Sequence, residues 1–397
     1  MHLPISCVVL LIVTMLEGLS GFGRTAALSP FLNDLCRDLS LSRTQISGAY
    51  SFAHLATMFL LPQIGRFFDR VPLPCFLRTF VILFSAAFIG MSSLANGGGP
   101  LWLKIGVLGL GYTCIRMSVH SYSIAGRSTI ALWFSKRRGA AIGTYTLCTT
   151  IIGSAMPSMA YALQQRFSWS RVWFGIGALW FGMWYLCSFA KKPESNCSNI
   201  RSDSSPNEPS YRPVLFYFIM ITLFFKAFQN TGIALHWMPM CHEFGANAKQ
   251  VSFCFLPIAA ISIGSTFIFG HFFKKIGVEL ALFLFLIADV GMLCATKMIA
   301  TTVGLCTFIG FNGLYWGLNH VVATLVLPLL FGVKNIGALH GWAYAFVSFG
   351  SSVGSFYFGW MGDHVSYQFG LSLCIAFSLF LLLFLCTIRE QIRSIHR

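Results

Sequence analysis

The chain has 397 residues, of which 56% are hydrophobic and 10% are charged, and its mean hydropathy is +0.72. Soluble proteins carry roughly 25% charged residues, so this composition excludes a soluble protein and predicts an integral membrane protein. The 13 cysteines are scattered through apolar runs without a C-x-x-C pair, which excludes a disulfide scaffold. The net charge of +15 fits nucleic-acid binding unless the positions of the basic residues explain it otherwise.

Apolar stretches long enough to cross a bilayer as helices follow one another along the chain, since about 20 residues suffice. In chain order they are residues 5–33, 44–66, 75–95, 101–133, 138–163, 171–190, 213–240, 250–273, 278–297, 301–330, 335–361 and 367–388. They lack the period-2 alternation of barrel strands, so we predict an all-α membrane protein with twelve transmembrane helices. No Lys or Arg precedes the first apolar run, so we interpret it as a retained span rather than a signal peptide.

Lysine and arginine are distributed unevenly between the connections. If both termini face the cytoplasm, the cytoplasmic segments hold 16 of these residues and the external segments hold 7. This bias satisfies the positive-inside rule and explains the basic charge without a nucleic-acid partner. We therefore predict a multi-pass protein with both termini in the cytoplasm, in a bacterial inner membrane.

A polar linker separates two similar halves of the chain. Residues 191–212 are rich in Ser, Asn, Pro and mixed charge, which is typical of a flexible linker. The motif GRFFDR at 65–70 corresponds to GHFFKK at 270–275, and the pattern KxxGAxxG occurs at both 136–143 and 334–341. Two matches in corresponding loops indicate a duplication. Six-plus-six repeats are typical of secondary transporters, which bind substrate near the bilayer midplane.

The motifs resemble those of the major facilitator superfamily over nearly the whole chain. Twelve spans, a long middle loop and the GxxxDR motif at 65–70 carry the resemblance, and the run at 127–143 resembles a signature of the monocarboxylate and oxalate–formate groups. The resemblance implies two pseudo-symmetric six-helix bundles, at 1–190 and 213–397, joined by the cytoplasmic linker 191–212. The chain lacks the basic pair that usually follows GxxxDR and the cation those groups commonly carry in helix 8 or 11.

Ionisable side chains within spans are costly in a bilayer and therefore mark candidate functional positions. The resemblance implies that helices 1, 4, 7 and 10 line a central cavity. Span 1 carries Glu17 and Arg24, seven residues apart and so on one face of a helix. Span 4 carries Arg116 and His120, and span 7 carries Lys226 near its middle. The Glu17–Arg24 pair could instead be structural and only neutralise itself. Arg116 could instead pack against the carbonyls of another span, and Lys226 could form a salt bridge across the domain interface.

The balance of charge in these spans predicts the class of substrate. Three cations near the midplane face one acid, and arginine presents a planar donor fork that suits carboxylate or phosphate. The predicted substrate-binding residues are Arg24, Arg116, Lys226, Asn230, Asn312, Trp316, Asn319 and His320. Glu17 and His120 are predicted to couple protons. The predicted gating residues, which the resemblance places at a cytoplasmic latch, are Gly65, Asp69, Arg70 and Arg138.

The sequence therefore predicts a secondary active transporter of a small organic anion, preferably a carboxylate, that works as a monomer by alternating access. Transport is coupled to protons or to a counter-anion. ATP-binding, zinc-binding and nucleophile-elbow patterns do not occur, so we expect no enzyme activity, no cofactor and no metal. The alternatives are an organophosphate or phosphate exchanger, an efflux carrier for an amphipathic metabolite, a non-transporting receptor and a membrane-embedded enzyme.

Overall fold

The computed structural model describes residues 5–96, 99–133, 138–190, 213–322 and 336–393. Side chains are described within these ranges except at residues 5–6, 96, 131–133, 138–140, 213, 274, 336–341 and 390–393. The described ranges contain helices and no strand, so the all-helical prediction is confirmed for them.

The first half of the chain forms eight α-helices joined by short turns. They are α1 (Ile5–Leu19), α2 (Thr25–Leu28), α3 (Leu32–Leu39), α4 (Arg43–Arg70), α5 (Leu73–Ser92), α6 (Leu101–Trp133), α7 (Arg138–Gln164) and α8 (Trp169–Leu186). Single 3-10 turns cover Ser20–Gly23, Ser29–Phe31, Ser93–Asn96 and Cys187–Phe189. A capping box between Ser42 and Gln45 begins α4, because each side chain satisfies a backbone N–H that the helix leaves without a partner.

The described part of the second half forms seven α-helices. They are α9 (Pro213–Leu235), α10 (Trp237–Glu243), α11 (Ala248–Phe253), α12 (Phe255–Lys297), α13 (Thr302–Val321), α14 (Ile336–His364) and α15 (Tyr367–Arg393). Gly277 interrupts α12 with a φ of 74°, a backbone conformation that favours glycine. The break divides α12 into the predicted spans 8 and 9.

Six helices of the described chain are long and apolar enough to cross a membrane. A bent pair, Cys7–Gly23 with Thr25–Leu39, makes a seventh if it is counted as one span. The remaining predicted spans correspond to α4, α6, α7, α13 and α14, which interrupt their apolar residues with polar or charged ones. Of these helices, α6 and α13 carry predicted substrate-binding residues.

The described chain forms two compact units. Unit 1 contains Met1–Ser198 together with Thr231–Pro239 and Ser355–Asp363. Unit 2 contains Asn199–Asn230, Met240–Gly354 and His364–Arg397. Two short segments from the second half of the chain thus belong to unit 1, and the predicted division into bundles 1–190 and 213–397 stays a prediction.

Aromatic side chains hold the helices of unit 1 in place. Phe84 of α5 stacks on Trp180 of α8 with a centroid distance of 4.6 Å. The indole N–H of Trp180 donates to the hydroxyl of Tyr122 on α6 at 3.1 Å. Such a ring pair contributes about 0.5–1.5 kcal/mol beyond the area it buries. These contacts fix α6, which carries Arg116.

The two added segments of unit 1 are joined to α4 by hydrogen bonds. The backbone N–H and the hydroxyl of Thr44 both donate to Oδ2 of Asp363, at 2.8 and 2.7 Å. The hydroxyl of Ser47 lies 2.9 Å from Nε2 of His236. A carboxylate at the first turn of a helix is favourable because the helix dipole is positive there. Asp363 therefore caps α4 from a distant part of the sequence.

Candidate functional site

The first predicted span is broken at its candidate arginine. After α1 and one 3-10 turn, Arg24 adopts an extended conformation with φ −78° and ψ 151°, and α2 begins at the next residue. The two arms of the span are bent by 49°. We predicted a continuous segment over 5–33, and the break is a feature that this prediction missed. Transporters often place substrate sites at such discontinuous spans.

A glycine on α7 makes room for the side chain of Arg24. A Cβ atom added to Gly153 would lie 3.0 Å from Nη1 and 3.5 Å from Cζ of Arg24. The guanidinium therefore rests against the backbone of α7 at Gly153, and a larger residue there would require the arginine to shift. Its side chain remains 41% exposed, so the group can meet a solute.

Glu17 is the acid that faces Arg24. It is 6% exposed, and its Oε1 lies 3.8 Å from Nη2 of Arg24. The hydroxyl of Tyr145 on α7 donates to its other oxygen, Oε2. The sequence indicated the Glu17–Arg24 pair from its spacing but not Tyr145, because that contact depends on the packing of α7 against α1.

Arg116 on α6 has polar and aromatic neighbours and, among the described residues, no acid paired with it. Its Nη2 lies 3.3 Å from Nδ1 of His54, and its Cζ is 6.0 Å from the centre of the Tyr50 ring. The buried Nε of Arg116 and the buried Nε2 of His54 make no hydrogen bond within the described structure. Among the described residues, no carboxylate forms an ion pair with Arg116. A half-buried cation in this position would be stabilised by an anion.

The polar groups of spans 1 and 4 lie close together in unit 1. The hydroxyl of Tyr50 bonds that of Thr25, at 2.8 Å, next to the break in the first span. His120 is half-buried on the same helix as Arg116 and interacts electrostatically with both Arg116 and Arg24. The structure thus brings together four of the predicted residues, and we call this group the arginine cluster: Glu17, Arg24, Arg116 and His120.

Lys226 lies among aromatic rings in unit 2. Its Nζ is 5.4 Å from the centre of the Phe285 ring, 5.5 Å from that of Tyr315 and 5.8 Å from that of Trp316. A lysine over ring faces gains cation–π attraction of about 0.5–2 kcal/mol. Among the described residues, no acid pairs directly with its ammonium group.

Asp289 on α12 is a buried acid that we did not include among the predicted site residues. It is 4% exposed and accepts a hydrogen bond from Ser378 of α15 at 2.6 Å. The side-chain amide of Gln229 on α9 contacts both partners. The signal available in the sequence is an acid within a span.

The predicted polar residues of span 10 differ in their exposure. Asn312 is half-buried and its Oδ1 has no hydrogen-bond partner within the described structure. Trp316 and Asn319 are half-buried, whereas His320 is exposed. Asn230 on α9 is also half-buried. Of this group, Trp316 is the residue that the structure brings to Lys226.

The predicted gating residues lie at the end of α4 and the start of α7. Asp69 and Arg70 are exposed, and among the described residues they make no hydrogen bond or ion pair. Gly65 is half-buried, and a Cβ atom there would meet no atom within 4 Å. The side chain of Arg138 lies outside the described residues. The gating role stays a prediction.

Comparisons with known proteins place these observations in context. The sequence profile of the Major Facilitator Superfamily matches residues 10–328. A bacterial homologue of the human lysosomal transporter Spinster, in an inward-facing and occupied conformation, has 15% identity and a TM-score of 0.70, over 99% of this chain and 98% of that one. The inward-facing, unoccupied structure of a Spinster homologue has 16% identity and a TM-score of 0.68, over 100% and 98%.

A third structure, a bacterial homologue of the iron transporter ferroportin in an inward-facing state, has 14% identity and a TM-score of 0.69, over 96% of this chain and 98% of that one. No match was found among curated proteins. At these identities the structural likeness concerns the fold, and the solutes of those transporters do not carry over.

Proposed function

Because the chain belongs to the Major Facilitator Superfamily, we propose that it is a secondary active transporter of a small organic anion that works by alternating access. Membership of the family confirms the predicted fold, an all-α, multi-pass membrane protein of the twelve-helix type. It also indicates a transporter of some solute rather than an enzyme. The class of solute and the coupling ion are proposals.

The observation that carries the anion proposal is the environment of Arg116. This guanidinium has a buried Nε without a partner and no acid paired with it among the described residues. Guanidinium groups bind carboxylates through two parallel N–H···O bonds. A substrate carboxylate would therefore supply the acceptors that the protein itself does not provide.

Arg24 and Glu17 supply a second part of the proposed mechanism. Arg24 is shared between Glu17 and solvent, since the ion pair is 3.8 Å long and the arginine is partly exposed. An anion that binds Arg24 would reduce the positive field at Glu17 and so favour protonation of that acid. If anion binding at Arg24 and protonation of Glu17 occur together, the protein is a proton-coupled symporter. If Glu17 is not protonated when the anion binds, the protein exchanges the anion for a counter-anion.

The run at 127–143 supports an anion, and a carboxylate first, because it resembles a signature of the monocarboxylate and oxalate–formate groups that other anion carriers share in looser form. The distribution of Lys and Arg supports cytoplasmic termini. We also propose a monomer in a bacterial inner membrane, in contact with lipid on its outer faces. Lys226 is proposed as an anion-binding cation of unit 2.

An organophosphate exchanger is the second candidate. Arg24 and Arg116 interact electrostatically with each other, and a doubly charged phosphate would stabilise two adjacent guanidinium groups better than one carboxylate. Arginine forks suit phosphate as well as carboxylate. Competition between the two anion types for one binding site separates these candidates.

Uptake into proteoliposomes tests the proposed function. The purified chain is reconstituted, and accumulation of labelled monocarboxylates is measured with and without unlabelled phosphate esters as competitors. We expect Arg116→Ala to reduce uptake at least tenfold, about 1.4 kcal/mol, because the anion loses a charge-assisted bidentate bond.

Arg166→Ala is the matched control, because Arg166 is an exposed arginine in the same unit and should leave uptake unchanged. Full uptake by the Arg116→Ala protein would reject the assigned anion site. Stronger competition by phosphate esters than by carboxylates would favour the second candidate.

A further inference from the structure

Three buried side chains from three helices form a closed ring in unit 2. Asp289 of α12 is 4% exposed, and Gln229 of α9 and Ser378 of α15 are fully buried. Ser378 Oγ lies 2.6 Å from Asp289 Oδ2. The two terminal atoms of the Gln229 amide lie 2.9 Å from Ser378 Oγ and 2.7 Å from Asp289 Oδ1. Every contact in the ring is therefore of hydrogen-bond length.

Counting protons shows which state completes the ring. An ionised Asp289 only accepts hydrogen bonds. Two hydrogen-bond donors are then available for the three contacts, one amide N–H of Gln229 and the O–H of Ser378. Only two of the three contacts can therefore be hydrogen bonds. The third contact would then bring two oxygen atoms to 2.9 Å or less with no proton between them.

Protonation of Asp289 removes this deficit. Its O–H donates to the oxygen of Gln229, the amide N–H of Gln229 donates to Ser378, and the O–H of Ser378 donates to Asp289 Oδ2. Each donor is used once and each contact is bonded. The change requires only that the Gln229 amide turns over, since its nitrogen and oxygen occupy equivalent positions. Buried polar rings of this kind are favourable when every member is satisfied.

We propose that Asp289, within the ring formed with Gln229 and Ser378, is a proton-binding site of this transporter. The three groups contact one another directly at 2.6–2.9 Å, which leaves no position for a metal ion between them. The ring thus fits a proton rather than a metal ion.

The groups that face Asp289 connect this site to the proposed substrate. The ammonium of Lys226 on α9 interacts with it electrostatically, as do the phenol of Tyr315 on α13 and the thiol of Cys374 on α15. Lys226 favours the ionised acid. An anion paired with Lys226 would cancel that effect, so the anion and the proton would bind together. This coupling step, unlike proton binding itself, rests on the proposed anion transport.

Infrared spectroscopy tests the proton site without any transport assay. A protonated carboxyl group has a C=O stretch separate from that of a carboxylate, and its intensity is measured while the pH of the purified full chain is lowered. We expect wild type to gain a buried-carboxyl band that Asp289→Asn lacks. Asparagine keeps the ring complete, because its amide N–H replaces the acid O–H, so this variant should fold.

Glu17→Gln is the matched control, because it removes the other buried acid and should retain the Asp289 band. Retention of the band in Asp289→Asn, its absence from wild type, or its loss on addition of sodium would overturn the proposal. A band assigned to Asp289 in a protein that moves no anion would leave the proton site standing and reject the proposed function. Anion transport with no Asp289 band would do the reverse.

Ser378→Ala gives a second, independent measurement. It removes a hydrogen-bond donor that stabilises the ionised carboxylate more than the neutral acid, so protonation of Asp289 should occur at a less acidic pH and the band should appear earlier in the titration. Thr387→Ala on the same helix is the control, since that exposed hydroxyl bonds only its own helix, at Phe384. Equal titrations of the two variants would contradict the ring.

Discussion

Among single residues, the hydrogen-bond and ion-pair partners of each buried charged side chain determine whether it is available to bind a solute. Glu17 is committed to Tyr145 and Arg24, and Asp289 is committed to Ser378 and Gln229. Arg116, in contrast, retains an unsatisfied Nε. The acids are therefore held by the protein while one cation keeps bonding capacity, and this asymmetry favours an anionic ligand.

Gly153→Ala tests whether the position of Arg24 matters for anion binding. The added methyl group would lie 3.0 Å from Nη1 and push the guanidinium away from α7. Small-to-large changes in packed sites cost about 1 kcal/mol or more, so we expect about a fivefold rise in the apparent Kd for the transported anion.

Gly143→Ala on the same helix is the control, because no atom lies within 4 Å of the added Cβ. Affinity is measured by the concentration dependence of uptake. Equal affinities in both variants would show that Arg24 does not contact the anion.

At the scale of helices, the broken first span decides where Arg24 lies. The 3-10 turn that follows α1 is closely packed, and Gly21 and Gly23 within it contact Met156 of α7 and Ile115 of α6. At these two positions the turn fits between the helices only because glycine has no side chain. The break is therefore a product of tertiary packing rather than of local propensity.

Gly23→Ala is expected to destabilise the protein by about 1–3 kcal/mol. Its Cβ would collide with Ile115 and lie 3.0 Å from Phe84, and the backbone of the turn cannot retreat without moving Arg24. The midpoint of thermal unfolding in detergent should fall. In α5, Gly90→Ala adds a methyl group that meets no atom within 4 Å, so its midpoint should stay equal or rise. A midpoint for Gly23→Ala that matches Gly90→Ala would refute the packing argument.

The helices and the contacts between them differ in how well the sequence predicts them. Apolar length predicted the helices, since that signal is local. The predicted Glu17–Arg24 pair is present, but the helix ends between the two residues, so their seven-residue helical spacing is not what brings them together. Tyr145, His54 and the Asp289 ring could not be predicted, because each depends on contacts between helices distant in sequence. The break at Arg24 was missed for the same reason, since the glycines that permit it are common in membrane spans.

At the scale of the whole molecule, the membership of unit 1 is informative. Residues 231–239 and 355–363 come from the predicted second bundle, yet they group with the first. The bonds from Thr44 to Asp363 and from Ser47 to His236 account for this. Under alternating access, bonds that join the two predicted bundles must break once in each cycle. On the predicted division into bundles, we therefore propose that Asp363 forms a reversible contact.

Asp363→Ala should make this contact open more often. Thr44 loses the acceptor of its backbone N–H, and the first turn of α4 loses a favourable charge worth about 0.3–1 kcal/mol. Amide hydrogen exchange measured by mass spectrometry should therefore become faster over residues 43–48 and 236–238 together.

Glu243→Ala is the matched control, because Glu243 caps α15 by accepting hydrogen bonds from the backbone N–H groups of Tyr367 and Gln368 within unit 2. It should speed exchange at the start of α15 alone. If Asp363→Ala leaves exchange over 43–48 unchanged, or affects that segment without 236–238, the contact does not open as one unit and the reversible role assigned to it is wrong.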